Sequence, residues 1–157
     1  GLTKNINADE IKPSDSHQIN FFSGVFDINS DIKKSSELFG IQHSNEDLFR
    51  DTFLGKLSPI TGFMMTADAD TYFYTGVQAE YKIGKLNLTP SFSPGLYSMG
   101  DGKDLGSPLE FKSELQLSID LLPGTKLGYS QSHLSNADFG DKNPGADSYM
   151  FNFMKNF

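Results

Sequence analysis

Residues 109–121 read LEFKSELQLSIDL and alternate between apolar and polar side chains. Six of the seven odd-numbered positions are apolar, and none of the six even-numbered positions is. A β-strand places successive side chains on opposite faces, whereas a helix would mix the two sets around its circumference. We therefore predict a strand with one apolar and one polar face, although Glu, Lys, Leu and Gln individually favour helix.

The same two-residue period recurs along the chain and predicts eight strands. Their approximate ranges are 18–28, 34–42, 53–66, 71–83, 86–98, 109–121, 126–136 and 148–157.

The connectors between these predicted strands are of two kinds. Residues 84–85 and 122–125 form tight turns, whereas residues 99–108 and 137–147 form long loops rich in Gly and Asp. Short turns at one end and longer loops at the other are typical of outer-membrane barrels. The 43–52 connector is longer than this pattern predicts.

Composition limits the classes of protein that this chain can be. Its 157 residues predict one domain, 1–157, with a polar N-terminal segment at 1–17. The net charge of −7 argues against a nucleic-acid partner, and the absence of Cys excludes disulfides and Cys-ligated metal sites. No apolar run is long enough for a membrane-spanning helix, but a transmembrane barrel is apolar only at alternate positions.

The alternation does not by itself decide which face of the barrel is inside. A soluble lipid-binding barrel would turn its apolar faces inward, and this alternative stays open. Two features favour a polar interior. The polar faces of the fourth and sixth predicted strands carry charges of both signs, and the chain ends on alternating aromatic residues with Phe157, which is similar to the C-terminal signature of bacterial outer-membrane barrels. We therefore predict an all-β, eight-stranded antiparallel transmembrane β-barrel.

A candidate catalytic site lies at the end of the seventh predicted strand. His133 and Ser135 are two residues apart and share the face that carries Tyr129, which points to lipid if the interior is polar. Asp147 is in phase with Tyr149 in the last strand and should also point outward. A serine nucleophile needs a base, and the base needs a partner that fixes its tautomer. The alternative interpretation is a chance string of polar residues at a strand end.

The sequence HLSN at 133–136, followed by NPGADSY at 143–149 and the aromatic last strand, resembles the end of PagL-type lipid A 3-O-deacylases. The resemblance is specific over about 127–157. It implies an eight-stranded outer-membrane barrel whose Ser-His-acid site faces the outer leaflet. Such a site would remove the ester-linked acyl chain from the 3 position of lipid A.

The resemblance also implies a role for individual residues. Ser135 matches the nucleophile, His133 the base, and Asn136 the residue whose backbone N–H contributes to the oxyanion hole. Asp147 falls at the position of the orienting acid, which is usually Glu, so the shorter side chain must approach His133 more closely. Asp138 stands where the family usually has a small residue after Asn-Ala.

The predicted function is that of an outer-membrane serine esterase acting on lipid A of lipopolysaccharide in the outer leaflet, with no metal and no cofactor. The alternative membrane protein is a non-catalytic small barrel with a structural role. The predicted location is the bacterial outer membrane. A homodimer and the preferred acyl length are left open by the sequence.

Overall fold

The structure, a computed structural model, describes residues 16–28, 35–48 and 50–157, which contain ten strands. In chain order these are β1 (His17–Phe26), β2 (Ser36–Asn45), β3 (Arg50–Thr52), β4 (Gly55–Thr66), β5 (Thr71–Ala79), β6 (Tyr81–Ile83), β7 (Leu86–Ser98), β8 (Leu109–Leu122), β9 (Thr125–Ser135) and β10 (Ala146–Asn156). Most of the predicted polar segment at 1–17 lies outside the described residues, so the single domain over 1–157 stays a prediction. No helix in these ranges is long and apolar enough to cross a membrane.

Eight of the strands form a closed antiparallel barrel. Each long strand pairs with the next along the chain, and β1 pairs with β10 to close the ring. The pairing of β2 with β4 completes the wall on the other side. The two three-residue strands, β3 and β6, only extend this wall, through pairing with β4 and β7. The predicted eight-stranded antiparallel barrel is therefore confirmed.

Most predicted strand ranges differ from the structure by one to three residues at their ends, and two differences affect how the chain is arranged. The 43–52 connector is long because β2 continues to Asn45 and β3 then forms a hairpin with β4. The predicted strand at 71–83 is divided at Glu80 into β5 and β6. Gln78 pairs with Ser91 and Tyr81 with Leu88, so the gap lies opposite Thr89 and Pro90 on β7. Proline has no N–H to donate to the ladder, and the pairing is interrupted there.

The polar faces of the strands line the interior of the barrel. On β8, Glu110 and Lys112 are buried, whereas Leu115 and Leu117 on the opposite face are 51% and 44% exposed. The same alternation holds on β10, where Asn152 is buried and its neighbours on either side are exposed. A barrel with an apolar outer wall buries that wall in lipid. The soluble barrel with an apolar interior is therefore excluded.

Charged side chains in the interior pair with one another. Lys112 Nζ lies 2.6 Å from Glu114 Oε1 and 4.4 Å from the centre of the Tyr74 ring. Lys126 Nζ lies 3.0 Å from Glu80 Oε1 across the lumen. Glu110 differs, because both of its carboxylate oxygens are buried without a hydrogen-bond partner among the described residues.

Candidate active site

His133 and Asp147 face each other across the β9–β10 ladder. Both side chains lie on the outer surface of the barrel, 51% and 38% exposed, and His133 Nδ1 is 2.6 Å from Asp147 Oδ1. A carboxylate one methylene shorter than the usual Glu therefore reaches the imidazole. Gly145 lies next to this pair with φ of +68°, and a Cβ there would stand 2.9 Å from His133 Cε1. Glycine at this position leaves room for the imidazole.

Ser135 is the last residue of β9 and lies on the same outward face as His133. Its Oγ donates a hydrogen bond to Asn143 Oδ1 at 3.3 Å and accepts one from the Ala137 N–H at 3.1 Å. In the part of the chain that the structure describes, the hydroxyl makes no hydrogen bond to His133. Hydrogen bonds between nucleophile and base are often long in enzymes without substrate and tighten in the complex. The structure therefore places the three predicted residues together, with one contact formed and one open.

The backbone N–H of Asn136 points to the same spot as the Ser135 hydroxyl. Both donate to Asn143 Oδ1, the N–H at 3.0 Å. The side chain of Asn136 is fully buried and its Nδ2 donates to the carbonyl oxygens of Leu105 and Lys142. This buried amide holds the N–H in place at the end of β9. The position that Asn143 Oδ1 occupies lies beside the Ser135 hydroxyl and the Asn136 N–H, where an oxyanion would be stabilised.

Asn143 is the residue of this site that sequence reasoning missed. It stands in the NPG sequence that carries the family resemblance, but spacing alone gave no reason to point its side chain back at Ser135. The signal that could have found it is its place in the loop between two paired strands, because residues 136–145 must leave the end of β9 and return to the start of β10.

Asp138 lies at the turn directly after the site. Asp138 and Ala137 adopt left-handed backbone conformations, with φ of 66° and 54°. The N–H of Asp138 donates to Asn136 Oδ1 at 2.9 Å, and its Oδ1 accepts from Asn143 Nδ2 at 3.3 Å. Asp138, which stands where a small residue was expected, therefore places its carboxylate against Asn143. The Asp138 N–H could act as a second donor to the oxyanion only if its hydrogen bond to Asn136 Oδ1 were broken.

The two long loops contact each other beside the site. Lys142 Nζ lies 3.5 Å from Asp104 Oδ2, and Asn136 Nδ2 bonds to Leu105 of the 99–108 loop. The N–H of Gly106 donates to Asp104 and holds the pKa of that carboxyl below its usual value, with a smaller contribution from Lys142. These contacts hold the 99–108 loop against the buried side chain of Asn136.

Two adjoining depressions in the outer wall meet at Ser113, a small side chain paired with His133. The larger, of about 640 Å³, is lined by residues that include His133, Asp147, Gln131, Leu115, Pro90 and Ser113. The smaller, of about 320 Å³, is lined by Ser135, Ala137, Phe92, Phe111, Phe139 and Ser113. His133 thus borders the larger depression and Ser135 the smaller one, whose walls include three Phe side chains. Within the described ranges, no group of three or more His, Asp or Glu side chains could hold a metal ion.

The fold is similar to that of solved outer-membrane barrels. The crystal structure of the outer membrane enzyme PagL superposes with a TM-score of 0.68 at 18% identity, covering 89% of this chain and 99% of that chain. Neisserial surface protein A, NspA, superposes with a TM-score of 0.59 at 12% identity, covering 90% and 97%. The Yersinia pestis outer membrane protein Ail superposes with a TM-score of 0.52 at 13% identity, covering 89% and 99%. At these identities the similarity shows the fold alone.

Sequence comparison provides the family. Comparison with curated proteins finds no significant match. The family described as lipid A 3-O-deacylase (PagL) matches residues 39–156, which is three quarters of the chain and includes the whole of the site. This chain therefore belongs to the PagL family of lipid A 3-O-deacylases and is an eight-stranded barrel of the outer membrane.

Proposed function

We propose that this chain is a serine esterase that removes the 3-O-linked acyl chain of lipid A, with Ser135 as nucleophile. Family membership implies a lipid A deacylase, that is, a hydrolase. The observation that carries the assignment to residues is the 2.6 Å contact between His133 and Asp147, on the same outward face as Ser135. Ionisable side chains on a lipid-facing wall cost free energy, and their presence there therefore points to a function.

The chemistry follows from these positions. Asp147 Oδ1 accepts a hydrogen bond from the Nδ1–H of His133, which keeps the proton on Nδ1 and leaves Nε2 free as the base. Nε2 takes the Ser135 proton as Oγ attacks the ester carbonyl carbon, and the tetrahedral oxyanion accepts a hydrogen bond from the Asn136 N–H. His133 then gives the proton to the sugar oxygen as the ester bond breaks. Water, activated by the same imidazole, releases the fatty acid from Ser135.

Asn143 must move for this reaction to begin. Its Oδ1 occupies the position between the Ser135 hydroxyl and the Asn136 N–H. An ester carbonyl bound there would take over the hydrogen bond from the N–H. The freed hydroxyl can then turn from Asn143 to His133.

The orientation of the barrel suits this substrate. With the chain termini in the periplasm, β9 runs outward and ends at the cell surface, where lipid A lies. An outward-facing serine at that end meets an ester at the boundary between headgroup and acyl chains. The lipid therefore stays in the membrane during the reaction.

The test is mass spectrometry of lipid A after incubation with the purified barrel in detergent. We expect loss of one 3-O-linked acyl chain with the native protein and no loss with Ser135→Ala. The matched control is Ser132→Ala, which removes a buried hydroxyl from the opposite face of the same strand and should keep the activity. Unchanged lipid A with the native protein would instead support a non-catalytic barrel, in which Ser135 stays hydrogen-bonded to Asn143.

A further inference from the structure

The turn between β3 and β4 lies against the outer wall of the barrel, at the end that carries the chain termini. The hydroxyl of Tyr81, on β6, donates a hydrogen bond to the carbonyl oxygen of Leu54 in this turn. Ala79 shares the outward face of β5 with Val77, but Ala79 is buried whereas Val77 is exposed. Part of the lipid-facing wall is therefore covered here by the chain itself.

This part of the wall forms a groove of about 300 Å³ on the outer surface. Its lining includes six apolar or aromatic side chains, Leu54, Leu57, Val77, Tyr81, Pro90 and Phe92. The groove lies at the break between β5 and β6, where the ladder to β7 is interrupted opposite Thr89 and Pro90. Because Val77 and Phe92 are also exposed on the lipid-facing wall, lipid has direct access to the groove.

The groove spans the depth of one leaflet. Tyr81 pairs with Leu88 near the start of β7, and Phe92 lies six residues beyond Leu86, the first residue of that strand. Six residues extend about 20 Å along a strand, which is about 15 Å in depth for a tilt of about 40°. The hydrocarbon core of a bilayer is about 30 Å thick, so this depth is about half of it. With the chain termini in the periplasm, the groove lies in the periplasmic leaflet.

Arg50 places a positive charge at the periplasmic end of this groove. It pairs with Leu57, which lines the groove, so the two side chains share the outward face of the hairpin. Asp51 pairs with Lys56 and lies on the opposite face. Arg50 is exposed and forms no salt bridge with another residue of the described ranges. A guanidinium group in this position can bind two oxygens of a phosphate.

We propose that the groove binds a glycerophospholipid of the periplasmic leaflet, with its phosphate on Arg50 and one acyl chain between the turn and the wall. Phe53, which is 96% exposed at the tip of the turn, then lies at the membrane boundary, where barrels carry aromatic side chains. The groove is built on β3 to β7, whereas the candidate active site is on β9 and β10. Phospholipid binding therefore does not depend on the proposed esterase activity.

A second copy of this chain fits the groove less well than a phospholipid does. In a two-fold contact centred on this face, the two Arg50 side chains would approach each other. The outward face of the described hairpin carries no acidic side chain that could compensate them, because Asp51 lies on the other face. A phosphodiester supplies this counter-charge together with an apolar chain.

The experiment uses Trp fluorescence, because the native chain contains no Trp. Phe53→Trp places a reporter in the turn, and Leu121→Trp places a control reporter at an exposed position near the same end of β8. Each barrel is reconstituted in phosphatidylcholine vesicles with increasing fractions of phosphatidylglycerol brominated on its acyl chains, which quenches Trp on contact. We expect half-maximal quenching of the turn reporter at a fraction about fivefold lower than for the control reporter, the effect of one exposed charge-assisted contact. Equal quenching curves for the two reporters would overturn the proposal.

Two variants in the turn-reporter protein test the two parts of the site. Arg50→Gln removes the charge, and Val77→Phe fills the groove from an exposed position on the wall. Each should raise the half-maximal fraction to that of the control reporter, with unheated gel migration as the check on folding. The matched controls are Lys85→Gln, a charge removal in the neighbouring tight turn, and Leu117→Phe, an outward change on β8, and neither should shift the curve. A curve that survives both Arg50→Gln and Val77→Phe would refute the site.

Competition shows whether the phosphate is recognised. Unbrominated phosphatidylglycerol should restore the fluorescence of the turn reporter at fractions where diacylglycerol with the same acyl chains does not. Equal restoration by the two lipids would overturn the role of Arg50, and loss of quenching together with cross-linked dimers would assign the groove to a second copy instead. All these measurements can be made in Ser135→Ala protein, so their outcome is independent of whether the native protein hydrolyses lipid A.

Discussion

Replacing Asp147 by Asn is expected to lower the turnover of lipid A about 100- to 1,000-fold while leaving the barrel folded. Asp147 Oδ1 lies 2.6 Å from His133 Nδ1, so the two charge centres are about 4 Å apart once the imidazole is protonated. At that distance two unit charges attract by about 4 kcal/mol at an effective dielectric constant of 20, and by about 1 kcal/mol in water. Because both side chains are partly exposed, we discount the upper value.

The loss has a second component, which comes from the proton on the imidazole. A carboxylate can only accept, so it keeps the proton on Nδ1 and leaves Nε2 free for Ser135. The Asn amide can donate to Nδ1 and so favours the unproductive tautomer. Both components act on the chemical step, and kcat should fall with KM little changed.

The assay is the release of fatty acid from lipid A in detergent, with unheated gel migration as the check on folding. Asp141→Asn is the matched control, because it removes the same charge from an exposed position in the loop before β10. Asp147→Glu should keep most of the activity. Retention of more than a tenth of native turnover in Asp147→Asn would refute Asp147 as the partner of His133.

Three further changes test the site and the barrel. Gly145→Ala forces a Cβ to 2.9 Å from His133 Cε1 at a φ of +68°, so kcat should fall at least tenfold in the fatty-acid assay; native kcat would show that the imidazole position is not critical. Asn143→Asp places a negative charge at the atom that lies 3.3 Å from the Ser135 hydroxyl and should lower kcat about 100-fold, and unchanged kcat would argue against an oxyanion at that position. Glu110→Gln replaces a fully buried carboxyl group, neither oxygen of which has a partner among the described residues, so urea titration should show an increase of about 1–3 kcal/mol in the free energy of unfolding; a decrease would mean that the carboxylate is stabilising.

The alternation of side chains was sufficient to predict the barrel wall. In β8 the pattern of Leu115, Gln116 and Leu117 alone assigns each residue to a face, because a strand has a period of two and a shift by one residue would expose the whole polar set. The same rule predicted that His133, Ser135 and Asp147 share a face, and the charges of both signs on the polar faces favoured that face as the outward one. The break between β5 and β6 at Glu80 could not be predicted from alternation, because it depends on which residues of β7 pair with this segment.

What the sequence could not provide is the register between strands and the course of the loops. The β9–β10 pairing places Asp147 directly opposite His133, and a shift of two residues along either strand would preserve every facial assignment but separate the pair. The contact of Asn143 with Ser135 depends on a turn whose path is set by hydrogen bonds from the buried Asn136 to two loops. Local pattern determines which way a side chain points, because that is a property of one strand. Which side chains meet is decided only when the ring of strands closes, because closure fixes the positions of strands and loops relative to one another.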